Sequence, residues 1–518
     1  MPSENLKNNY PSIEELLTKL ITQPDDPTLH HALAQTYAQI HNVKAAISHY
    51  QKALVINPLY AEAHNSFACL LTKLGDYQQA LLHYREAVHA APGYLEAHYN
   101  LGLLLLKKQL FEAAAVQFNN VLTLAPEHIQ ARFYLGMIQL QSEQLDKAQQ
   151  TLEAVIEADP EHCDALNSLG VIALKKDHGQ LAVHYFTQVI AFNNSHQEAR
   201  NNLAATFLAH DRFENALIHY RELLKLDADN IEYLYNAAIA LMTLGQLAEA
   251  KQFFEKILII QPNHAATYNN LAALAIRNHN KPQALAYLQQ AVALNPLDHT
   301  SKHMLHAMEG NTLAATTPSY AQDLFDNYAF YYDEHLQKKL QYTLPERLLT
   351  LINQSNLKPP LDILDLGCGT GLCGKQFKSL SKKLYGVDIS KKMIEKARQK
   401  ELYDRLEVDN IEHFLETDKD RYDLIIAADV LPYFGDLKPL FNKIQQRLMP
   451  SGLFIFSTEI SENQPWQLQP NAHFSHHLAY IKELCASQNW QIHHYEKIIA
   501  RHQDTQPVWV HCIVLRFP

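Results

Sequence analysis

An alanine recurs every 34 residues, at Ala46, Ala80, Ala114, Ala148, Ala182, Ala216, Ala250 and Ala284, with no insertion between any two. A strict period of this length means that one supersecondary unit is copied and stacked. Three more columns keep the same register. Twelve residues before each alanine the chain is always small: Ala34, Ala68, Gly102, Gly136, Gly170, Ala204, Ala238 and Ala272. Four residues after it the chain is bulky: Tyr50, Tyr84, Phe118, Leu152, Phe186, Tyr220, Phe254 and Leu288. Twelve residues after it stand Pro58, Pro92, Pro126, Pro160, Asn194, Ala228, Pro262 and Pro296. The i, i+4 spacing puts each alanine and its bulky neighbour on one helix face. The small column lets a second helix come close, and the proline ends one unit before the next begins. The pattern predicts eight two-helix units over Pro27–Asp298, each burying its apolar face only against its neighbours. Such an array needs caps. Ser12-x-x-Glu15 is a capping box that opens a cap helix within residues 1–26, and Leu297–Glu309 is expected to cap the other end.

The columns resemble the tetratricopeptide repeat, which implies an all-α right-handed superhelix whose first helices line an inner groove. A groove-facing column reads Ala32, Ser66, Asn100, Tyr134, Ser168, Asn202, Asn236 and Asn270, and the preceding position adds Asn65, Asn167, Asn201 and Asn269. Asparagine is a mediocre helix former, so local propensity does not explain the column. Its amide both donates and accepts, and a row of amides can pair with the backbone of an extended peptide. The row resembles the asparagine ladder in the superhelical arm of O-linked N-acetylglucosamine transferase. A protein or peptide partner on Asn202, Asn236 and Asn270 is one expectation; bracing of neighbouring repeats by the same amides is the other.

The chain is too long for one core, at 518 residues, and its 19% charged content is that of an ordinary folded protein. No apolar run reaches the roughly 18 residues of a membrane span. The polar start MPSENLKNNYPS lacks the order of a signal peptide, and the six cysteines form no CxxC pair. A cytoplasmic, reducing setting is expected. Residues 1–318 hold 21 Lys+Arg against 30 Asp+Glu, and residues 319–518 hold 23 against 25. Neither part has the basic excess of a nucleic-acid binder. The 29 histidines make the net charge sensitive to acidification.

After the linker at 299–318 the pattern changes. Short apolar runs at 361–366, 383–388, 405–409, 422–428, 453–459, 491–499 and 508–516 read as strands, and helical stretches separate the first five. That alternation predicts an α/β domain over 319–518 with a parallel sheet covered on both faces. Its strongest site signal is Leu361-Asp-Ile-Leu-Asp-Leu-Gly-Cys-Gly-Thr-Gly371, a strand running into three alternate glycines. Glycines there permit positive φ and let a ligand approach the backbone. Asp388 follows Gly367 by 21 residues, where a carboxylate can accept both ribose hydroxyls of a nucleoside.

The spacing Gly367-x-Gly369-x-Gly371 differs from the Gly-x-Gly-x-x-Gly of dinucleotide dehydrogenases. It resembles motif I of the Rossmann-like class I S-adenosylmethionine-dependent methyltransferases. The resemblance extends to Asp388, to Val408-Asp409-Asn410, to Tyr422–Asp429 and to Leu448–Phe454. It implies S-adenosylmethionine as cofactor, with Asp365 and the glycine loop along its methionine part. Asp388 and Ile389 would hold the ribose and flank the adenine, and Asp409 and Asn410 would meet the adenine edge. Leu324–His335 resembles the lid helix of such enzymes, with Tyr328 and Tyr332 four apart on one face. Repeats plus this domain resemble the bacterial TPR-containing methyltransferases, which implies the activity without a substrate.

Methyl transfer is an in-line displacement in which the leaving group departs neutral, so positioning and desolvation carry most of the catalysis. A base is needed only for a protonated acceptor. Candidates for acceptor contact are Asp429, Tyr433, Glu459 and His476; each has a structural alternative in helix capping, lid packing or a solvated surface. Asp429-Val-Leu-Pro-Tyr433 departs from the Asn/Asp-Pro-Pro-Tyr/Phe of planar amine methylation. The late histidines lack a zinc-ligand spacing, so no metal is expected. Three functions remain open: methylation of a recruited protein, methylation of a small molecule with the repeats used for assembly, and a non-catalytic scaffold.

Overall fold

In the computed structural model, which describes residues 12–310, 315–329, 332–334, 336, 340–355, 357–503 and 506–518, every repeat is a pair of helices. Helix α1 (Ile13–Thr22) opens on the Ser12/Glu15 capping box. Sixteen repeat helices follow, from α2 (Pro27–Gln39) to α17 (Lys281–Leu294), and then α18 (His299–Glu309). The chain divides into two compact units, one ending at Gln246 and one starting at Leu247. The second unit therefore joins the last repeat helices to the α/β domain.

The columns of the sequence become one contact within each repeat. A Cβ added to Gly102 would lie 2.9 Å from Cε1 of Phe118, and one on Gly136 would lie 2.7 Å from Cγ of Leu152. The small residue exists so that the bulky one can pass over it. Gly170 makes a sharp test, since its added Cβ would sit 2.4 Å from Cε1 of the fully buried Phe186. Gly170→Ala gains about 1 kcal/mol of helix propensity but overpacks a core where such insertions cost about 1–3 kcal/mol. The expected result is net destabilisation of the repeats, read as a lower urea midpoint by circular dichroism; a stabilised variant would contradict this packing.

A further column was not legible. Between the two helices of each repeat one residue adopts left-handed backbone: His41, Gly75, Gln109, Glu143, Asp177, Asp211, Gly245 and His279. Two of the eight are glycine and four are Asp or His, types enriched in that region, which leaves Gln109 and Glu143 as the positions where residue type does not favour the turn.

In the second unit α19 (Pro318–Tyr328), a single turn α20 (Tyr332–Glu334) and α21 (Leu344–Asn353) lead into the sheet. Strands β1 (Leu361–Leu366), β2 (Ser381–Asp388), β3 (Arg405–Val408), β4 (Tyr422–Ala427) and β5 (Leu448–Ile460) alternate with α22 (Leu372–Phe377), α23 (Lys391–Gln399), α24 (Ile411–Thr417) and α25 (Lys438–Arg447). Then come β6 (Trp466–Leu468), β7 (Phe474–His476), α26 (Leu478–Ser487), β8 (Gln491–Gln503) and β9 (Gln506–Arg516). The order is β3-β2-β1-β4-β5-β7-β6, with β9 antiparallel to β5 and β8 antiparallel to β9. Alternate residues of the central strands feed two cores. Leu364, Ile425 and Phe454 meet Phe414 and Phe441 on one face, and Ile363, Leu424 and Ile455 meet Leu348 and Ile352 on the other. The strand order reverses between β1 and β4, which opens a crevice at their carboxyl ends.

Residues 299–318 are more than a connection. Helix α18 packs Ala307 against Leu468 and Phe474, and His303 donates from Nε2 to the Ala472 carbonyl at 3.0 Å. Its ring stacks on Tyr320 at 4.3 Å. Ala315 then forms a β-bridge with Phe434, and the Thr316 amide donates to the Tyr433 carbonyl at 2.9 Å. No described helix is long and apolar enough to cross a membrane.

Candidate functional site

The crevice between β1 and β4 is a cavity of about 830 Å³, the open space at its mouth included. Gly367, Gly369, Asp388, Ile389, Asn410 and Asp429 are among its walls. The loop after β1 carries φ of +64° at Gly367, +53° at Gly369 and +91° at Gly371. Among the described residues, a Cβ on Gly369 would meet the Tyr332 side chain alone, at 3.8 Å. Asp388, at the end of β2, braces the loop. Its Oδ2 accepts from the Gly369 amide at 2.9 Å and its Oδ1 from the Ser390 amide at 2.8 Å. Burial pushes its pKa up to about 6 against those two N–H groups.

Other expected cofactor residues are placed differently. Asp365 lies under the loop, accepts from the Tyr403 hydroxyl at 2.7 Å, and has its pKa raised by burial to about 7. Asp409 turns its carboxylate to His413 Nδ1 at 2.7 Å, while Asn410 caps α24 and lines the cavity. Gly371 packs toward Tyr403, 3.0 Å from where a Cβ would stand. Burial raises the Cys368 and Cys373 thiols well above their usual range. Tyr332 lines the cavity, whereas the Tyr328 side chain lies outside the described residues.

Helix α19 and the segment before it form another wall of the cavity. Pro318, Ala321 and Phe325 of α19 line the cavity, as do Ala315 and Thr316 from the linker. Asp326 accepts from the Ser390 hydroxyl at 2.6 Å, and Asp333 accepts from Lys400 at 2.5 Å and from the Thr370 hydroxyl.

Beside Asp429 stands a residue that no motif marks. Arg501 on β8 donates from Nη1 to Asp429 Oδ2 at 2.6 Å and from Nη2 to Glu459 Oε1 at 2.8 Å. Glu459 also accepts from His473 Nδ1 at 2.9 Å. Burial alone would raise the Glu459 pKa, but His473, Arg501 and Asn471 outweigh it and hold it at about 2. Asp429 sits at φ +59°, a left-handed position for a non-glycine, and its buried Oδ1 has no hydrogen-bond partner among the described residues. Tyr433 lines the cavity between Phe325 and His473, edge-on to both, and burial raises its phenol well above the usual range. His476 has another place. It is fully buried, one ring nitrogen on the Thr458 hydroxyl at 2.5 Å and the other on the Gly435 carbonyl at 2.9 Å, and burial lowers its pKa to about 4. It braces β5 against the turn after β4 and lies outside the cavity wall.

The repeat asparagines are largely engaged with the protein itself. Asn202 donates to Asn167 Oδ1 at 3.1 Å, and Asn100 to Asn65 Oδ1 at 3.0 Å. Asn167 and Asn201 each donate to a glutamate of the following repeat, Glu198 and Glu232, at 3.0 Å. Asn236 lies beside the Tyr220 hydroxyl, and Asn270 donates to the Ala266 carbonyl at 3.1 Å.

Residues 357–503 match the family model of a methyltransferase domain. Tetratricopeptide repeat models match residues 31–94, 65–131 and 177–231, and residues 105–169, 207–275 and 241–308. The chain thus joins tetratricopeptide repeats to a methyltransferase domain. Over 141 residues it is 31% identical to a malonyl-[acyl-carrier protein] O-methyltransferase of Priestia megaterium, covering 26% of this chain and 49% of that one. A protein of the same name from Acetivibrio thermocellus is 34% identical over 26% of this chain and 47% of its own. A ubiquinone biosynthesis O-methyltransferase of Pasteurella multocida is 26% identical over 25% of this chain and 60% of its own. The chain therefore spans about half the length of the first two relatives.

Proposed function

We propose that this protein is an S-adenosylmethionine-dependent methyltransferase whose repeats hold a protein or peptide partner. The observation that carries the enzyme reading is the cavity between β1 and β4. The positive-φ glycine loop, the buried Asp388 beside it and the apolar pair Ile389 and Met393 fit a nucleoside. Asp388 and Glu412 are acids among its walls, which suits a ligand bearing a sulfonium and an ammonium. Asp388 and Ile389 would hold the ribose and adenine, with Asn410 at the adenine edge. When bound, S-adenosylmethionine supplies an activated methyl group. The chain's part is to orient it, close the lid and exclude water. The six cysteines are free thiols, which suits the cytoplasm. Calorimetry on the full chain should show micromolar binding of S-adenosylmethionine, and no binding would end this reading.

A second reading, a small-molecule acceptor with the repeats used for assembly, has its own support. Asn202 and Asn270 already hold partners within the chain. The triple variant Asn202→Ala/Asn236→Ala/Asn270→Ala separates the two. Net hydrogen bonds contribute about 0.5–1.5 kcal/mol each, so recruitment through these amides predicts that labelling of proteins in a cell extract falls about tenfold or more. Cofactor affinity should stay unchanged. Protein labelling at full rate would rule out the asparagines as recruiter. Label found only in small metabolites, for wild type and variant alike, would establish the second reading.

A further inference from the structure

A second hollow lies within the second unit, between the eighth repeat and the sheet. It is a cleft of about 1230 Å³, the open space at its mouth included. Ile276 of α16 (Ala265–Arg277) and His279 in the turn to α17 form one wall. The sheet forms another. Glu459 on β5 stands opposite Ser475 on β7, and Ser475 opposite Gln467 on β6, so the three make one row across three strands. All three line the cleft. Trp466, Leu468 and Phe474 alternate with them and pack with Ala307 of α18. Glu462 and Asn463, between β5 and β6, add to the polar wall. The amides here differ from those of the repeats. Asn100, Asn167 and Asn202 each donate to another side chain of the array. The side-chain amides of Asn463 and Gln467 have no hydrogen-bond partner among the described residues. Glu462 likewise has no ion-pair partner among them, and no Lys or Arg is among the described residues that line the cleft.

We infer that this cleft holds an extended, basic segment of a partner polypeptide, its backbone along Asn463 and Gln467 and a lysine or arginine at Glu462. The inference rests on the methyltransferase reading above and gives its protein partner a place and a chemistry. A side-chain amide donates and accepts, so two open amides pair with a main chain whatever its sequence. The charge sets the class of partner. Glu459 already has Arg501 Nη2 at 2.8 Å and His473 Nδ1 at 2.9 Å, which leaves Glu462 as the uncompensated carboxylate of the wall. A cation on the partner complements it, and a carboxylate there meets repulsion. Glu459 also links the cleft to the cofactor cavity. Its partner His473 lies edge-on to Tyr433 with ring centroids 5.4 Å apart, and its partner Arg501 holds Asp429 at 2.6 Å. Tyr433 and Asp429 line that cavity, so a continuous set of touching side chains runs from the cleft to the place proposed for methyl transfer. A wall from the eighth repeat is what the separate methyltransferase domain would lack, which gives the repeats a direct part in forming this surface.

The test uses the full chain and a fluorescein-labelled peptide of alternating serine, valine and lysine, read by fluorescence anisotropy. A second peptide carries glutamate in place of each lysine, and spermidine supplies positive charge without a peptide backbone. The lysine peptide should bind and the glutamate peptide should bind at least about tenfold more weakly. Glu462→Lys should weaken the lysine peptide at least about tenfold, and Asn463→Ala/Gln467→Ala about fivefold or more. Glu462 and Asn463 are exposed and Gln467 is half-buried, and none of them lines the cofactor cavity, so S-adenosylmethionine affinity by calorimetry should stay level and serves as the control for folding. The variant Asn202→Ala/Asn236→Ala/Asn270→Ala should keep the lysine peptide at full affinity. No binding of the lysine peptide, equal binding of the two peptides, or full affinity in Glu462→Lys overturns the inference. Spermidine displacing the peptide at equal concentration would show a site for a cation rather than a chain and overturns it too. So does an equal loss in the triple asparagine variant, which would assign the peptide to the asparagine row. Lysine peptide held in the cleft by a chain that fails to bind S-adenosylmethionine would overturn the methyltransferase reading alone.

Discussion

Asp388→Ala should weaken S-adenosylmethionine binding about tenfold to a hundredfold without unfolding the sheet. The residue sits at the end of β2, where its Oδ2 takes the Gly369 amide and its Oδ1 the Ser390 amide. In the proposed complex the same carboxylate also accepts from the ribose. Hydrogen bonds to a charged group contribute about 1.5–3 kcal/mol, which converts to that loss in affinity. The pH dependence has a definite sign. Burial places the Asp388 pKa at about 6, so the accepting, ionised form dominates at neutral pH and is lost on acidification. Affinity should be level above about pH 7 and fall below about pH 6, approaching tenfold per pH unit. Asp388→Asn, which does not titrate, should bind weakly with no slope over that range. Calorimetry at three pH values measures both effects; an unshifted affinity in Asp388→Ala would remove this residue from the site.

What could be read in advance follows from how each feature is encoded. The repeats rest on local contacts at fixed spacing, so Ala182, Phe186 and Gly170 disclose their packing in one dimension. The glycine loop was legible for a similar reason, because its backbone demands a residue type. Its neighbour Asp409 was less so. A carboxylate at that position can serve an adenine or a nearby histidine equally well, and here it meets His413 at 2.7 Å. His476 shows the same ambiguity, being polar in sequence yet wholly enclosed by β5 and the turn at Gly435. The stretch 311–318 has no helical stripe, yet Ala315 and Thr316 line the cavity and pair through their backbone, which leaves no mark in side-chain type. Strands β6 and β7 are three residues each, too short for an alternating pattern to stand out. Arg501 was invisible because its partners are Asp429 and Glu459, 72 and 42 residues away, joined to it only by the antiparallel return of β8 and β9.

Arg501→Ala should be the most destabilising substitution in the α/β domain's polar interior, by about 3–5 kcal/mol. The side chain is 7% exposed and its two carboxylate partners are 20% and 9% exposed, so solvent screens little of the interaction. Burial by itself would lower the guanidinium pKa, but Asp429 and Glu459 outweigh it and raise it, so the group stays charged at any pH of interest. Removing it leaves two enclosed carboxylates without their common cation. Glu459 retains His473 and Asn471 and is in part compensated, whereas Asp429 loses the one side-chain partner that its Oδ2 has among the described residues. The sign under acid follows from Glu459, whose folded pKa of about 2 lies below its ordinary value of 4.5. The stability it contributes is present above about pH 4.5 and lost as pH falls toward 2. In Arg501→Ala one source of that depression is gone, so the variant should lose less stability on acidification than the wild type does. Arg501→Lys should recover only part, because a single ammonium lacks the planar fork that reaches both acids. Hydrogen exchange on the full chain, followed at β5 and β8, measures the loss where it occurs, and repeat helices in the first unit serve as the internal control. Protection unchanged at β5 and β8 would show that the two carboxylates are satisfied without the arginine.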